Sequence, residues 1–136
     1  MSYGCAAALQ AAVFQRLLAD EALEALVDGA VHDAMPAGQA NGTYVALGPE
    51  EVRDASDGTG GGAEHRFVVS VVSDAAGFQR AKDAAAAVSD ALVGADLALS
   101  RGRLVGLSFV KAVARRTDGG RRIDLTFRAR VEDWRV

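Results

Sequence analysis

The sequence predicts an α+β domain, a mainly antiparallel sheet with helices packed on it and a long C-terminal β-hairpin. Three observations carry that prediction. Apolar residues recur at three- and four-residue spacings near the N-terminus and again over 78–92. Apolar and polar residues alternate from Arg122 to Glu132. Between the last two extended stretches, Thr117-Asp-Gly-Gly120 supplies hairpin-turn chemistry. The order of helices, strands, helix and hairpin is that of an α+β domain.

The elements follow from the chain in order. Leu9, Val13 and Leu17 mark one face of a first helix, with Gln10, Gln15 and Arg16 between them. Asp20 caps a second short helix holding Leu23, Leu26 and Val27, with Glu21 and Glu24 in its first turns and Gly29 as its stop. Val31 to Asp33 reads as a short extended piece, followed by a turn at Met35-Pro36 and a polar loop through Asn41-Gly42. Thr43 to Leu47 reads as a strand. Glu51 to Gly62 reads as the least structured part, because Gly58, Gly60, Gly61 and Gly62 put a flexible loop at about 54–63.

Glu64 to Ser73 reads as a central strand covered on both sides, since both of its faces turn apolar in the middle. Phe78, Ala81, Ala85, Val88 and Leu92 form one stripe of a helix from about Gly77 to Leu92, stopped at Gly94. Its alanines suit close packing on a sheet. Leu104 to Arg115 is the first strand of the hairpin. In the second, Ile123, Leu125, Phe127, Ala129 and Val131 form the buried face. One domain spans residues 1–136, with no internal repeat.

Composition excludes several classes. The chain has 136 residues, half of them hydrophobic and 24% charged, which is globular and not disordered. Charge or glycine interrupts every apolar stretch before 18 residues, so no membrane-spanning helix is expected. No basic region leads into an apolar segment with a cleavage site, which argues against secretion. Cys5 is the only cysteine, so neither a disulfide framework nor a multi-cysteine zinc site is available.

The net charge of −3 conceals an asymmetry. Residues 1–100 carry a balance of −9, and residues 101–136 carry +6. Two readings are open: solvated faces within one fold, or oppositely charged faces of neighbouring copies meeting head to tail. Heterologous contacts of the second kind close into rings when the rotation allows.

A search for chemistry returns little. Gly58-x-Gly60-x-x-Ala63 nominally fits a dinucleotide fingerprint, but it precedes a strand instead of opening a helix. His32 and His65 lack metal-ligand spacing, and His65 reads as a structural histidine. Asp54, Asp57 and Glu64 form a weak oxygen-only candidate for Mg²⁺ or Ca²⁺. Cys5 sits among alanines as an apolar filler. No Gly-x-Ser-x-Gly elbow occurs. The reading is a non-enzyme without cofactor.

The order of several short segments resembles the tail-completion, or tail-terminator, proteins of long-tailed phages and gene transfer agents. Leu9-Gln10 is followed by Asp20-Glu-Ala-Leu23-Glu-Ala-Leu26, then Val31-His-Asp33-Ala-Met-Pro36 and Tyr44-Val45-Ala46-Leu47-Gly48. After a charged stretch and variable loop come a strand beginning at His65, the segment Gly77 to Leu92, and Leu97-Ala-Leu99 leading to Arg103-Leu104-Val105-x-Leu107. Phe127-Arg128-Ala129 closes the match, which runs from about Leu9 to Val131. Thr43 replaces a proline, Val72 a frequent tryptophan and His32 a tyrosine of the family pattern.

The resemblance implies a structural virion protein made in the bacterial cytoplasm and built into the head-proximal end of the tail. Its homo-oligomeric ring, typically of six subunits, would bind the major tail tube protein and the head-completion (stopper) protein. DNA would pass through the lumen without sequence-specific binding, and no membrane or cofactor is implied.

Two interface candidates follow from the residues. Arg115, Arg116, Arg121 and Arg122 flank the hairpin turn, and two readings are open: a solvated turn, or a contact with an acidic surface of the tube protein or a neighbouring subunit. The loop from Asp54 through Asp57 to Glu64 is the second. The rival reading is a nucleic-acid-binding module using Arg101, Arg103, Arg128 and Arg130 of the basic hairpin region. A hydrolase with Ser73 or Ser108 as nucleophile ranks last, because nothing supplies a base or oxyanion site.

Overall fold

The computed structural model describes residues 3–37, 41–56 and 61–133. Along the chain run α1 (Ala6–Ala19), α2 (Glu21–Val27), β1 (Val31–His32), β2 (Thr43–Asp54), β3 (Gly62–Ser73), α3 (Gln79–Leu92), β4 (Arg103–Thr117) and β5 (Gly120–Glu132). The strands form one sheet in the order β1-β2-β3-β5-β4. β1 runs parallel to β2, and every other pair is antiparallel. The expected α+β architecture and C-terminal hairpin are therefore both present.

The helices form where the apolar spacing puts them. Leu9, Val13 and Leu17 of α1 are buried, as are Leu23 and Val27 of α2. The Asp20 carboxylate accepts the Leu23 N–H at 2.9 Å, an N-cap worth about 1 kcal/mol. α2 stops one residue earlier than Gly29, at Asp28 in the left-handed region with φ 53°. Arg80 donates to the Leu26 carbonyl at 2.8 Å and Arg16 to the Ala91 carbonyl at 3.0 Å. These two guanidiniums satisfy carbonyls at the C-terminal ends of α2 and α3 and tie the helices together. Ala81, Ala85, Val88 and Leu92 of α3 are buried, with Phe78 packed against the same core.

The sheet presents one apolar face to the helices. Ile123, Leu125, Phe127, Ala129 and Val131 are buried there. Cross-strand register sets Phe67, Phe127 and Phe109 side by side on β3, β5 and β4. Phe127 stacks on Phe67 with centroids 5.7 Å apart and meets Phe109 edge-on at 6.0 Å. Gly120 lies where β5 passes β3, and a Cβ there would run into the Ser73 carbonyl oxygen.

Two expectations need correction. The stretch from Glu51 is not loop but the second half of β2, which continues past an irregularity between Leu47 and Glu50 to pair Asp54 with Ala63. At the far end of the glycine cluster Gly62 is already the first residue of β3; residues 57–60, including Asp57, lie outside the described residues. β3 is central, but helices cover only one of its faces. On the other face Ser70 is buried by a polar network, and Arg66 is exposed.

Candidate interaction surface

The four hairpin arginines do not form one cluster. Arg115 pairs with Arg122 across the β4–β5 ladder, and Arg116 with Arg121. Side chains alternate along a strand, so each pair occupies a different face. On the helix-free face Arg122 Nε donates to the Asp124 carboxylate at 2.9 Å, and Arg115 lies 3.7 Å from its other oxygen. Ser70, fully buried, donates its hydroxyl to Asp124 at 2.6 Å. Burial alone would raise the Asp124 pKa, but the Ser70 and Arg122 hydrogen bonds and both guanidinium charges outweigh it and hold the carboxyl below its usual range.

On the helix side Arg121 is occupied differently. Its Nη2 donates to the Ala76 carbonyl at 2.6 Å, and its guanidinium carbon sits 5.3 Å above the Phe78 ring centroid. Arg121 therefore anchors the turn end of the hairpin to the start of α3. Arg116 and Lys111 are exposed and make no ion pair among the described residues. The charge available to a partner comes from Lys111, Arg115 and Arg116 on β4.

The second candidate surface is also divided. Asp54 pairs in register with Ala63, and Glu64 with Arg53, so the two carboxylates fall on opposite faces of the sheet. Asp54 accepts the Ser56 hydroxyl at 2.6 Å, which lowers its pKa. Glu64 lies 3.4 Å from Arg66 and 3.7 Å from Arg128. The structure does not bring Asp54 and Glu64 together as metal ligands.

Residues of the rival readings are engaged inside the fold. Arg101 binds Asp133 at 2.8 Å, which raises the Arg101 pKa, and Arg103 binds Glu132 at 2.7 Å. Ser73 is buried and shares a 2.8 Å hydrogen bond with Thr43. Burial pushes the Cys5 thiol pKa up, with the nearby Asp133 carboxylate adding to it, the opposite of nucleophile activation. His65 is fully buried, as suits a structural histidine: neither ring nitrogen has a hydrogen-bond partner among the described residues, and desolvation lowers its pKa.

Sequence reasoning missed the acidic edge. Between Leu17 and Val52 the chain has no Lys or Arg but seven carboxylates. Glu21, Glu24, Asp28 and Asp33 among them are exposed around α2 and β1. The half-chain charge count contained this signal, but only the sheet order shows that it occupies one edge.

Comparison with known proteins agrees with the fold and covers most of the chain. The sequence profile of the tail completion protein gp17 family matches residues 11–132. A chain in the solved virion of a native gene transfer agent (GTA) particle is similar to this one at 68% identity and a TM-score of 0.89. The alignment covers 96% of this chain and 99% of that one. A search among curated protein sequences finds no match. On the family match over nearly its whole length, the chain belongs to the tail completion protein gp17 family, whose members have a structural role in the tail.

Proposed function

We propose that this protein assembles into a ring of six copies that closes the head-proximal end of the tail tube in a phage-like or gene transfer agent particle. The ring joins the tube to the head-completion protein, and DNA passes through its lumen without sequence-specific contact. The protein acts by binding and not by catalysis. The observation that carries the reading is the near-complete, 68% identical match to a chain of a gene transfer agent virion. The Lys111–Arg122 hairpin and the strand ends at Asp54 and Glu64 supply its contact surfaces.

Quantitative mass spectrometry of purified particles tests the ring, with averaged images of the head–tail junction. Six copies per tail and a sixfold ring at the junction are expected. One copy, or a location at the distal tip, contradicts the proposal.

A further inference from the structure

The two edges of the sheet carry opposite charge. β4 forms one edge and β1, with α2 packed beside it against β2, forms the other. β4 holds Arg103, Lys111, Arg115 and Arg116 and no carboxylate. Around the opposite edge lie the exposed Glu21, Glu24, Asp28 and Asp33, in a segment without Lys or Arg; the one cation bonded to α2 from outside it among the described residues is Arg80 of α3, at the Leu26 carbonyl.

The distal half of β4 is also built unlike a finished edge. Register irregularities between Leu104 and Gly106 and between Phe109 and Lys111 interrupt the ladder, whereas Lys111 to Thr117 pairs continuously with β5. Those seven residues are exposed throughout, so neither face of this stretch is covered. Phe109 and Val113 are 46% and 51% exposed. An uncovered edge strand presents unpaired backbone groups to a partner. The side chains decide which partner. Two β4 edges facing each other would set like charges together, which is destabilising. The acidic edge of another copy complements them.

We propose that the β4 edge from Phe109 to Thr117 docks on the α2–β1 edge of a second copy, head to tail. This inference rests on the ring reading and gives that ring its subunit contact. Using opposite edges of the same sheet makes the contact heterologous, so each copy offers one of each, and the chain of contacts closes into a ring when the rotation per copy allows. Lys111, Arg115 and Arg116 meet the neighbour's acidic residues, while Phe109 and Val113 lose their exposure to solvent.

Cysteine cross-linking in assembled particles tests the contact. A Val113→Cys, Asp33→Cys double variant treated with a short bismaleimide is expected to give a ladder of dimers and larger multiples. Each single variant is expected to give none, and the native Cys5 is buried. A cross-linked dimer from Val113→Cys alone means that two β4 edges meet, which overturns the proposal. So does a cross-link to a different virion protein. Copy number is counted in the same particles: several copies without a ladder overturn this contact alone, and a single copy overturns the ring reading as well.

Charge exchange tests it independently of cysteine chemistry. Arg115→Glu with Arg116→Glu, or Glu21→Lys with Glu24→Lys, is expected to lower the yield of joined particles by about tenfold or more. All four changes together restore it to within a few-fold. That pattern supports the contact, and any other pattern overturns it.

Discussion

Asp124 is the best place to test the energetics of the helix-free face. It lies 2.6 Å from the Ser70 hydroxyl and 2.9 Å from Arg122 Nε, and its side chain is 26% exposed. Asp124→Asn keeps the shape and removes the charge. A hydrogen bond to a charged group is worth about 1.5–3 kcal/mol net. Arg122 can regain water in the variant, so the two contacts together give a loss of about 2–3 kcal/mol. With an unfolding entropy of about 0.3 kcal/mol per degree for a domain of this length, the midpoint falls by about 7–10 °C. Urea and thermal unfolding followed by circular dichroism read this directly.

The pH dependence gives that prediction a second handle. The folded Asp124 pKa is held below its ordinary 3.8, so the unfolded state binds more protons in acid. Its contribution is present above about pH 3.8 and is lost as pH falls through the folded value. The difference between wild type and Asp124→Asn therefore narrows in acid. Ser70→Ala completes a double-mutant cycle, with an expected coupling of about 1 kcal/mol. Additive effects within about 0.3 kcal/mol would refute the network, as would an unchanged midpoint in the Asn variant.

Three further outcomes follow from named contacts. His65 has a folded pKa below its ordinary 6.5, so its contribution is present above about pH 6.5 and lost as pH falls toward the folded value; His65→Leu flattens that decline in acid denaturation profiles. Gly102 has φ 79°, and a Cβ on it would lie 2.6 Å from Cys5 Sγ and 2.7 Å from the Glu132 carbonyl. Gly102→Ala is expected to destabilise by about 2 kcal/mol or more, and a neutral result would refute the close approach. Reversing Arg115, Arg116, Arg121 and Arg122 to glutamate abolishes tail joining, whereas Arg121→Glu alone acts through stability, because that side chain binds Ala76 and Phe78.

The legible parts of the fold were those written in local periodicity. The alternation in β5, the stripe of α3 and the Asp20 cap each depend on residues a few positions apart, and the structure uses them as their spacing implies. The second half of β2 was illegible because Glu50, Glu51, Arg53 and Asp54 lack an apolar face; pairing with β3 makes them a strand. The hairpin arginines illustrate the same limit. Adjacency in sequence suggested one cluster, but the β4–β5 register divides it between two faces. Neither the Ser70–Asp124 bond nor the aromatic row of Phe67, Phe127 and Phe109 has a local signature, since both depend on strands far apart in the chain.

Deleting the gene in the producing cell and imaging the particles by negative-stain electron microscopy tests the central claim most directly. Filled heads beside detached tails, or tubes grown past their normal length, are the predicted result. Normal particles with tails attached would contradict a role at the head–tail junction.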